Sequence, residues 1–357
     1  MNMKQTSSTG GWGQRMKDRF DDWKEDLFGG GAIVRVSALA VGLYLLLALV
    51  VGFFWSSEPE TFSVRDIVAQ HSINEQSRAP VGVATTASMI KVTTTLLDKP
   101  GGFISNDILP PGVWLDNLPN WEYGALIQSR DLAKAMREAF SRSQSQSLED
   151  NDLARAESRF NFDHNSWAVP ASESEYREGI RALEGYLERL ADEDQHNAQF
   201  FARADNLRYW LSTVETRLGS LSQRLSASVG QRRLNTDLAG EERAVQSTPA
   251  PSEMVVKTPW TEIDDVFYEA RGSAWALLHF LKAVEVDFAD VLIKKNALVS
   301  VQQIIRELEA TQEPIYSPMI LNGTGFGMLA NHSLVMASYI SRANAAIIDL
   351  RELLSQG

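Results

Sequence analysis

One uninterrupted apolar stretch dominates the hydropathy pattern of the chain. Residues 36–55 read VSALAVGLYLLLALVVGFFW, twenty residues without a charge. At about 1.5 Å per helical residue, this length matches a hydrocarbon core about 30 Å thick. A core helix would show a polar stripe, and a cleaved signal peptide would be shorter and would end in small residues, not in Phe53, Phe54 and Trp55. The pattern therefore predicts an uncleaved transmembrane helix over 32–55.

The basic residues around this stretch predict its orientation. Six of them precede it, whereas only Arg65 is basic in the twenty residues that follow. Because lysine and arginine are retained on the cytoplasmic side, we expect residues 1–31 to be a cytoplasmic stub and 56–357 a periplasmic domain of a cell inner membrane protein. The six basic residues are Lys4, Arg15, Lys17, Arg19, Lys24 and Arg35.

The stub itself carries an amphipathic pattern. Apolar side chains recur every three or four residues and predict a helix with one apolar face. They are Trp12, Met16, Phe20, Trp23 and Leu27. Such a helix lies in the headgroup plane of a bilayer, or packs against a partner protein or a second copy. Residues 29–31, all glycine, are expected to form a hinge before the apolar stretch.

Beyond residue 55, helical periodicity is strong and strand-like alternation is nearly absent. Ser172 and Glu175 form a capping box ahead of an apolar run over 176–190, and a second run covers 200–225. Two such runs separated by a polar stretch predict an antiparallel hairpin. Further helices are predicted from Thr258–Pro259 to 284, over 289–308 and over 336–354. The predicted fold class is all-α: an N-terminal amphipathic helix, one transmembrane helix and an elongated extracytoplasmic helical bundle.

Two stretches interrupt the helical pattern. Residues 230–257 have no apolar periodicity and include the string STPAPS, which predicts a flexible segment. Residues 315–341 carry no charge but contain too many glycine and asparagine residues for a lipid-facing helix. We expect a glycine turn there that leads into the last helix.

Composition excludes several classes of function. The 357 residues include no cysteine, which excludes disulfides, zinc ribbons, iron–sulfur centres and thiol catalysis. Lysine and arginine number 34 against 46 aspartate and glutamate, and the net charge of −12 argues against a nucleic acid partner. The five histidines are scattered, with His164 and His196 the most plausible metal ligands because an aspartate lies close to each in sequence. We expect no metal and no cofactor.

Two short motifs resemble known functional signatures only weakly. Ser88 and Lys91 have the spacing of a penicillin-binding serine and lysine, but about one such pair arises by chance in this composition, and the companion Lys-Thr-Gly is missing. The glycine string 323–327 lacks both the preceding strand and the Gly-Lys-Ser/Thr of a phosphate loop. We expect an ordinary helix at the first motif and a turn at the second.

The segment 99–124 is the strongest candidate for function. Four prolines, several glycines and two tryptophans argue against a regular helix, and long ordered loops are often functional. We expect its aromatic side chains to stack on a partner and its carboxylates and amides to bind that partner. The alternative is that the aromatics close the end of the bundle. The candidate partner-binding residues are Asn106, Asp107, Trp114, Asp116, Asn117, Trp121, Glu122 and Tyr123.

Four strings in the chain carry a family resemblance. They are GGFISNDILPPGVWLDNLPNWEYG (101–124), RSQSQSLEDNDLARAE (142–157), SESEYREGI (172–180) and ARADNLRYWLSTVETRLGSLSQRLSASVG (202–230). They resemble an uncharacterised bacterial inner-membrane family, domain of unknown function 2333, over nearly the whole chain. The resemblance implies a single-span envelope protein anchored near its N-terminus, and it brings no activity or catalytic residues.

These features predict a single-pass inner-membrane protein whose periplasmic domain is an interaction or scaffold module. The expected partners are the lipid bilayer and an envelope protein or a second copy of the chain. Two alternatives stay open: a periplasmic envelope-modifying hydrolase of a novel type, which uses acidic residues near 99–124, and a transmembrane sensor. A pocket with two carboxylates, or with a serine and a histidine within hydrogen-bond reach, would favour the hydrolase.

Overall fold

The computed structural model of the chain describes most of its length. The described residues are 17, 19, 22, 30–70, 79–143, 148–192, 197–234, 251, 253–317, 319–324 and 328–356. The chain divides into two compact units, residues 1–55 and 56–357. In the stub, Lys17, Arg19 and Asp22 are helical and exposed, and they belong to the predicted polar face. The predicted apolar face of that helix lies outside the described residues.

The first unit contains one long apolar helix, α1 (Gly30–Trp55). Its stretch Ile33–Trp55 has a mean hydropathy of 2.5, and within the described residues it is the one helix long and apolar enough to cross a membrane. By length and composition it is a membrane anchor or a signal sequence. The predicted hinge is wrong at Gly30 and Gly31, which belong to α1. A glycine costs a helix only about 1 kcal/mol, so the long apolar run carries the helix through both residues. Gly29 lies outside the described residues.

The second unit is a helical bundle, and the all-α prediction is confirmed. Its described helices are α2 (Val64–Gln70), α3 (Val83–Asp98), α4 (Asn117–Ala135), α5 (Asn151–Phe160), α6 (Ser172–Ala191), α7 (Ala204–Ser226), α8 (Ile263–Asp287), α9 (Ala289–Lys294), α10 (Leu298–Ala310) and α11 (His332–Ser355). A π-helical turn, Met136–Phe140, extends α4, and a short 3₁₀ turn, Trp260–Glu262, precedes α8.

Helix α8 is the centre of this bundle. It packs against α3, α4, α7, α10 and α11, and it buries side chains on every face. A helix enclosed in this way is mostly apolar, and between Ala270 and Leu281 the buried polar side chains are those of Arg271, Ser273 and His279. On one side of it α4 is followed by α5 and α6, and on the other side lie α7, α10 and α11.

Helices α4 and α8 approach each other closely. A Cβ atom on Gly124 would lie 2.0 Å from the carbonyl oxygen of Glu269, and one on Gly272 would lie 1.9 Å from that of Trp121. Only glycine therefore fits at either position. Ser273 Oγ donates a hydrogen bond to the carbonyl of Gly124 at 3.1 Å. The two backbones touch at this crossing, which fixes the register of α4 on α8.

The predicted helical hairpin is wrong. Helix α6 packs on α5 and α3, whereas the main partner of α7 is α11. The apolar stripes of these helices are alike in composition, so the stripes do not specify which neighbours they choose. The predicted capping box is also wrong, because Ala171 occupies the N-cap position and the hydroxyl of Ser172 donates to the carbonyls of Asp163 and Ser166 instead.

Three other predicted segments differ from the structure in detail. The predicted helix 289–308 is divided into α9 and α10 at Asn296, whose φ is 52°. Both ends of the predicted flexible segment form an antiparallel ribbon of β1 (Gln231–Leu234) and β2 (Glu253–Val256), while 235–250 and 252 lie outside the described residues. The turn before α11 is closed by a bridge between Asn322 and Asn331, and Asn331 caps α11.

Candidate functional site

The predicted functional segment is part loop and part helix. Residues 99–116 connect α3 to α4, but residues 117–124 already belong to α4, so the prediction of no regular helix is wrong for that part. Pro119 is tolerated because the first turn of a helix needs no backbone N–H donor there. The side chain of Asp116 caps the helix by accepting from the backbone N–H of Asn117 at 2.9 Å.

A buried ion pair organises the loop. The Glu122 carboxylate is fully enclosed and accepts the Lys99 ammonium, the backbone N–H groups of Ile104 (2.9 Å) and Ser105 (2.8 Å), and the Ser105 hydroxyl. Burial lowers the pKa of Lys99, and the neighbouring Glu122 charge opposes that shift. A buried carboxylate is tolerated only when its lone pairs are satisfied in this way. Glu122 is therefore the internal anchor of the loop.

The structure separates the eight predicted residues into buried and accessible ones. Asn106, Trp121 and Glu122 are buried, so their side chains serve the interior and not a partner surface. Trp121 packs against Trp275 with ring centroids 5.0 Å apart. Asn106 donates to the carbonyl of Ser166 and to the Glu173 carboxylate, both at 2.8 Å. The accessible residues of the set are Asp107, Trp114, Asp116, Asn117 and Tyr123. For these, contact with a partner stays a prediction.

One groove near this loop contains a serine and a histidine. It has a volume of about 320 Å³, and Ser105, Tyr123, His164 and Glu269 are among its lining residues. The Ser105 hydroxyl donates to Glu122, so His164 is not positioned to accept its proton. His164 packs against Tyr123 with the two rings tilted and their centroids 4.9 Å apart, and burial is the main cause that lowers the pKa of its imidazole. The groove therefore lacks the hydrogen bond that activates a serine nucleophile.

The remaining candidates are the Ser88–Lys91 motif, Asp107 and the candidate metal ligands. Ser88 is fully buried on α3, whereas Lys91 is exposed on the same helix, so the two do not form a catalytic pair. Burial raises the pKa of Asp107, and the Glu122 and Glu173 charges add to the shift. Among the described residues, no group of three or more histidine or acidic side chains could hold a metal ion. His196 lies outside those residues.

A second site, which the sequence reasoning missed, lies where the chain enters the second unit. Residues 58–62, here called the strap, form neither helix nor strand and lie along α8. Arg271 Nε donates to the Glu58 carboxylate, Trp275 Nε1 donates to the carbonyl of Glu60 at 3.3 Å, and the backbone N–H of Phe62 donates to His279 Nε2 at 3.0 Å. The strap therefore runs parallel to α8.

The spacing of these contacts explains their regularity. Two extended residues advance about 6.7 Å, and four helical residues advance about 6 Å, so alternate strap residues meet every fourth residue of α8. Further interactions reinforce the contacts at both ends of the strap. Arg271 also donates to the carbonyls of Thr311 and Glu313, both at 2.9 Å. The Phe62 ring stacks on the His279 ring with centroids 3.7 Å apart.

The electrostatics of the strap follow from burial. Desolvation raises the pKa of Glu58 against the attraction of Arg271. Desolvation also lowers the pKa of His279 to about 4. Because Nε2 of His279 accepts from Phe62, its proton resides on Nδ1 and is donated to the carbonyl of Trp275 at 2.7 Å. Arg271, Trp275 and His279 lie four apart in the sequence of α8, but nothing in the sequence indicates residues 58–62 as their partner.

The comparisons with known proteins give one match. A family model described as "Uncharacterized protein conserved in bacteria (DUF2333)" matches residues 30–357. No curated protein and no solved structure is similar to the chain.

Proposed function

The chain belongs to the bacterial family DUF2333, and from this premise we propose that it is a single-pass protein of the cell inner membrane whose periplasmic helical domain is an interaction scaffold. Helix α1 is the anchor in this proposal. The excess of lysine and arginine before α1 favours a cytoplasmic N-terminus. The partner of the scaffold is an envelope protein or a second copy of the chain.

The strap is the observation that carries the proposal. A domain attached through a flexible linker samples many positions relative to its anchor. Here residues 58, 60 and 62 bind three successive turns of the most enclosed helix of the domain. The contacts of the second unit therefore begin three residues after Trp55, the last residue of α1. A short connection suits a scaffold, because it limits how far the partner surface can move from the membrane.

The candidate chemistry supports a scaffold more than a hydrolase. The carboxylate best placed near the loop, Glu122, is fully enclosed and is saturated by its donors. Ser105, the hydroxyl closest to His164 in the same groove, is bound to that carboxylate. Each group has a structural partner instead of an open coordination or reaction position.

Photocrosslinking in intact cells tests the scaffold. A photoreactive amino acid is placed at Tyr209 on α7 or at Ile348 on α11, which are 40% and 45% exposed. We expect an adduct of defined mass with one envelope protein or with a second copy. A flexible glycine–serine linker inserted between Trp55 and Ser56 should abolish the adduct, since it lets the domain move farther from the membrane. The same linker appended after Gly357 is the matched control and should preserve it.

Two results would contradict the scaffold. One is that neither position gives a protein adduct, and the other is that the inserted linker leaves the adduct unchanged. The strap also suits a transmembrane sensor, because it joins the anchor to the core of the domain. Deletion of residues 1–28 separates the two functions: a scaffold keeps its adducts provided that α1 still inserts, whereas a sensor loses its signal.

A further inference from the structure

One end of the helical domain is rich in exposed apolar side chains. We propose that this end, here called the apolar pole, rests in the interface of the bilayer that holds the anchor. The inference rests on the anchoring part of the proposed function but not on its orientation or its protein partner. Leu109, Trp260 and Tyr316 are 67%, 78% and 94% exposed. The apolar pole is defined by Ile108, Leu109, Trp114, Trp167, Trp260 and Tyr316.

The contacts between elements bring these residues to the same end. Helices α4 and α8 are parallel, because Asn120 Nδ2 donates to Asp265 at 2.7 Å near both helix starts and Gly124 meets Ser273 further along. The loop with Leu109 directly precedes α4, and Trp260 directly precedes α8. Both therefore lie at the end where the two helices begin.

Two further loops reach this end. The loop with Trp167 is joined to the 99–116 loop by the hydrogen bond from Asn106 to the carbonyl of Ser166 at 2.8 Å. The loop with Tyr316 follows α10, and it lines a groove of about 400 Å³ together with Phe267, which belongs to the first turns of α8. Three loops and the start of α8 thus contribute to one apolar surface.

The chain enters the domain at this same end. Ser56 lines a groove of about 480 Å³ with Tyr268 and Arg271, and the strap runs from there toward the far end of α8. Because Ser56 is bonded to Trp55, the last residue of α1, the surface around the start of α8 cannot be far from a membrane that α1 spans. This covalent connection is what identifies the occupant of the apolar pole as lipid.

The two-stranded ribbon adds to the same surface. It follows α7, and the backbone N–H of Thr258 binds the carbonyl of Ala227 at the end of α7, close to the start of α8. Met254 and Val255 on β2 are 54% and 67% exposed, and they pair with Arg233 and Arg232 on β1. Arginine next to exposed apolar side chains suits the boundary between acyl chains and headgroups.

The chemistry of the pole favours insertion of apolar side chains over attraction to anionic lipid. Tryptophan and tyrosine are enriched at the membrane–water interface because they combine an apolar ring with a polar group. Asp116, Glu262 and Asp265 lie at the same end and would repel a purely anionic surface. We therefore expect contact with uncharged headgroups, and we expect that contact to persist at high salt.

Site-specific labelling of the full chain in nanodiscs tests this inference. Because the chain has no cysteine, Leu109→Cys, Tyr316→Cys and Val299→Cys each provide one site for a fluorophore. Val299 is the matched control: it is 73% exposed but lies at the start of α10, at the opposite end. The protein is reconstituted in phosphatidylcholine nanodiscs that contain lipids with a quencher just below the headgroup, the depth of about 5–10 Å reached by interfacial side chains.

We expect labels at Leu109 and Tyr316 to be quenched several-fold more than the label at Val299, at low and high salt alike. Equal quenching at all three positions would overturn the lipid contact. A protein that crosslinks to the apolar pole and shields its labels from the quencher would overturn it as well. The result does not depend on which side of the membrane the domain occupies or on whether Tyr209 and Ile348 give adducts. Failure of the scaffold and failure of the lipid contact are therefore distinguishable.

Discussion

At the scale of single residues, each buried charged side chain in the described part of the chain has a structural partner. Glu122 holds the loop before α4, and Arg271 holds the loop after α10 as well as the strap. Asp287 accepts from the backbone N–H groups of Gly82 (2.9 Å) and Thr85 (2.7 Å), which places a carboxylate at the first turn of α3. Burial raises the pKa of Asp287, and those hydrogen bonds oppose the shift. Such groups cost much to bury and more to leave unpaired.

Replacement of Glu122 tests this balance. Glu122→Gln leaves the Lys99 ammonium buried without its counter-charge, so we expect a loss of about 3 to 5 kcal/mol in the free energy of unfolding. Urea unfolding followed by circular dichroism measures the change. The control is Glu309→Gln, whose partner Lys282 lies at 2.7 Å in a half-exposed pair. That variant should lose less than about 1 kcal/mol. Equal effects for the two variants would mean that Glu122 is not an anchor.

The pH dependence of His279 provides a second test at this scale. Its pKa in the folded protein is about 4, below the ordinary histidine value of 6.5. As pH falls from 6.5 toward 4, the unfolded chain takes up a proton that the folded chain does not, so stability is lost in that window at up to about 1.4 kcal/mol per pH unit. His279→Gln keeps an acceptor for Phe62 but does not titrate. We expect this variant to gain on the wild type between pH 6.5 and 4 in melting temperature, and a constant difference would contradict the assignment.

None of these residue roles could be predicted from the sequence. Glu122 was expected to face a partner because charged residues are usually exposed. Its burial depends on Lys99 and on two backbone N–H groups, which only the folded loop brings together. In the same way, nothing local distinguishes His279 from other helical histidines, since its partner Phe62 lies 217 positions earlier.

At the scale of elements, the crossing of α4 and α8 fixes the interior. The positions of α6, α7 and α11 were predicted well, because their periodic apolar stripes depend only on local sequence, whereas the start of α4 was predicted to be a loop. Helix partners were predicted poorly, because one leucine-rich stripe fits another about equally well. Close contact at Gly124 and Gly272 supplies the selectivity that the stripes lack. The ribbon of β1 and β2 was missed because four-residue strands give too short a pattern.

Gly272→Ala tests the importance of this crossing. The added methyl group would lie 1.9 Å from the carbonyl oxygen of Trp121. The helices must separate, so we expect a loss of about 1 to 3 kcal/mol or more in the free energy of unfolding. Gly219→Ala on α7 is the matched control, since its nearest neighbour would be a side-chain atom of Asn344 at 3.6 Å. Alanine should stabilise that helix by up to about 1 kcal/mol. Similar changes in both variants would exclude a special role for the crossing.

At the scale of the whole molecule, the acidic composition and the orientation are linked. If residues 56–357 are periplasmic, their 28 basic and 41 acidic residues place a net charge of −13 in the periplasm, while residues 1–55 carry +1. A phosphatase fused after Gly357 should then be active, and a fluorescent protein that matures only in the cytoplasm should stay dark there. The same reporters fused after Lys17 should give the opposite pattern. A dark phosphatase and a bright fluorescent fusion at Gly357 would reverse the proposed topology.

The direction of the strap also determines how the domain responds to force. A pull on Ser56 directed away from the domain acts along the axis of the strap, because the strap is parallel to α8. The contacts at Glu58, Glu60 and Phe62 are then loaded in shear and share the force. We therefore expect the attachment to resist tension from a moving membrane or cell wall far better than three isolated hydrogen bonds would.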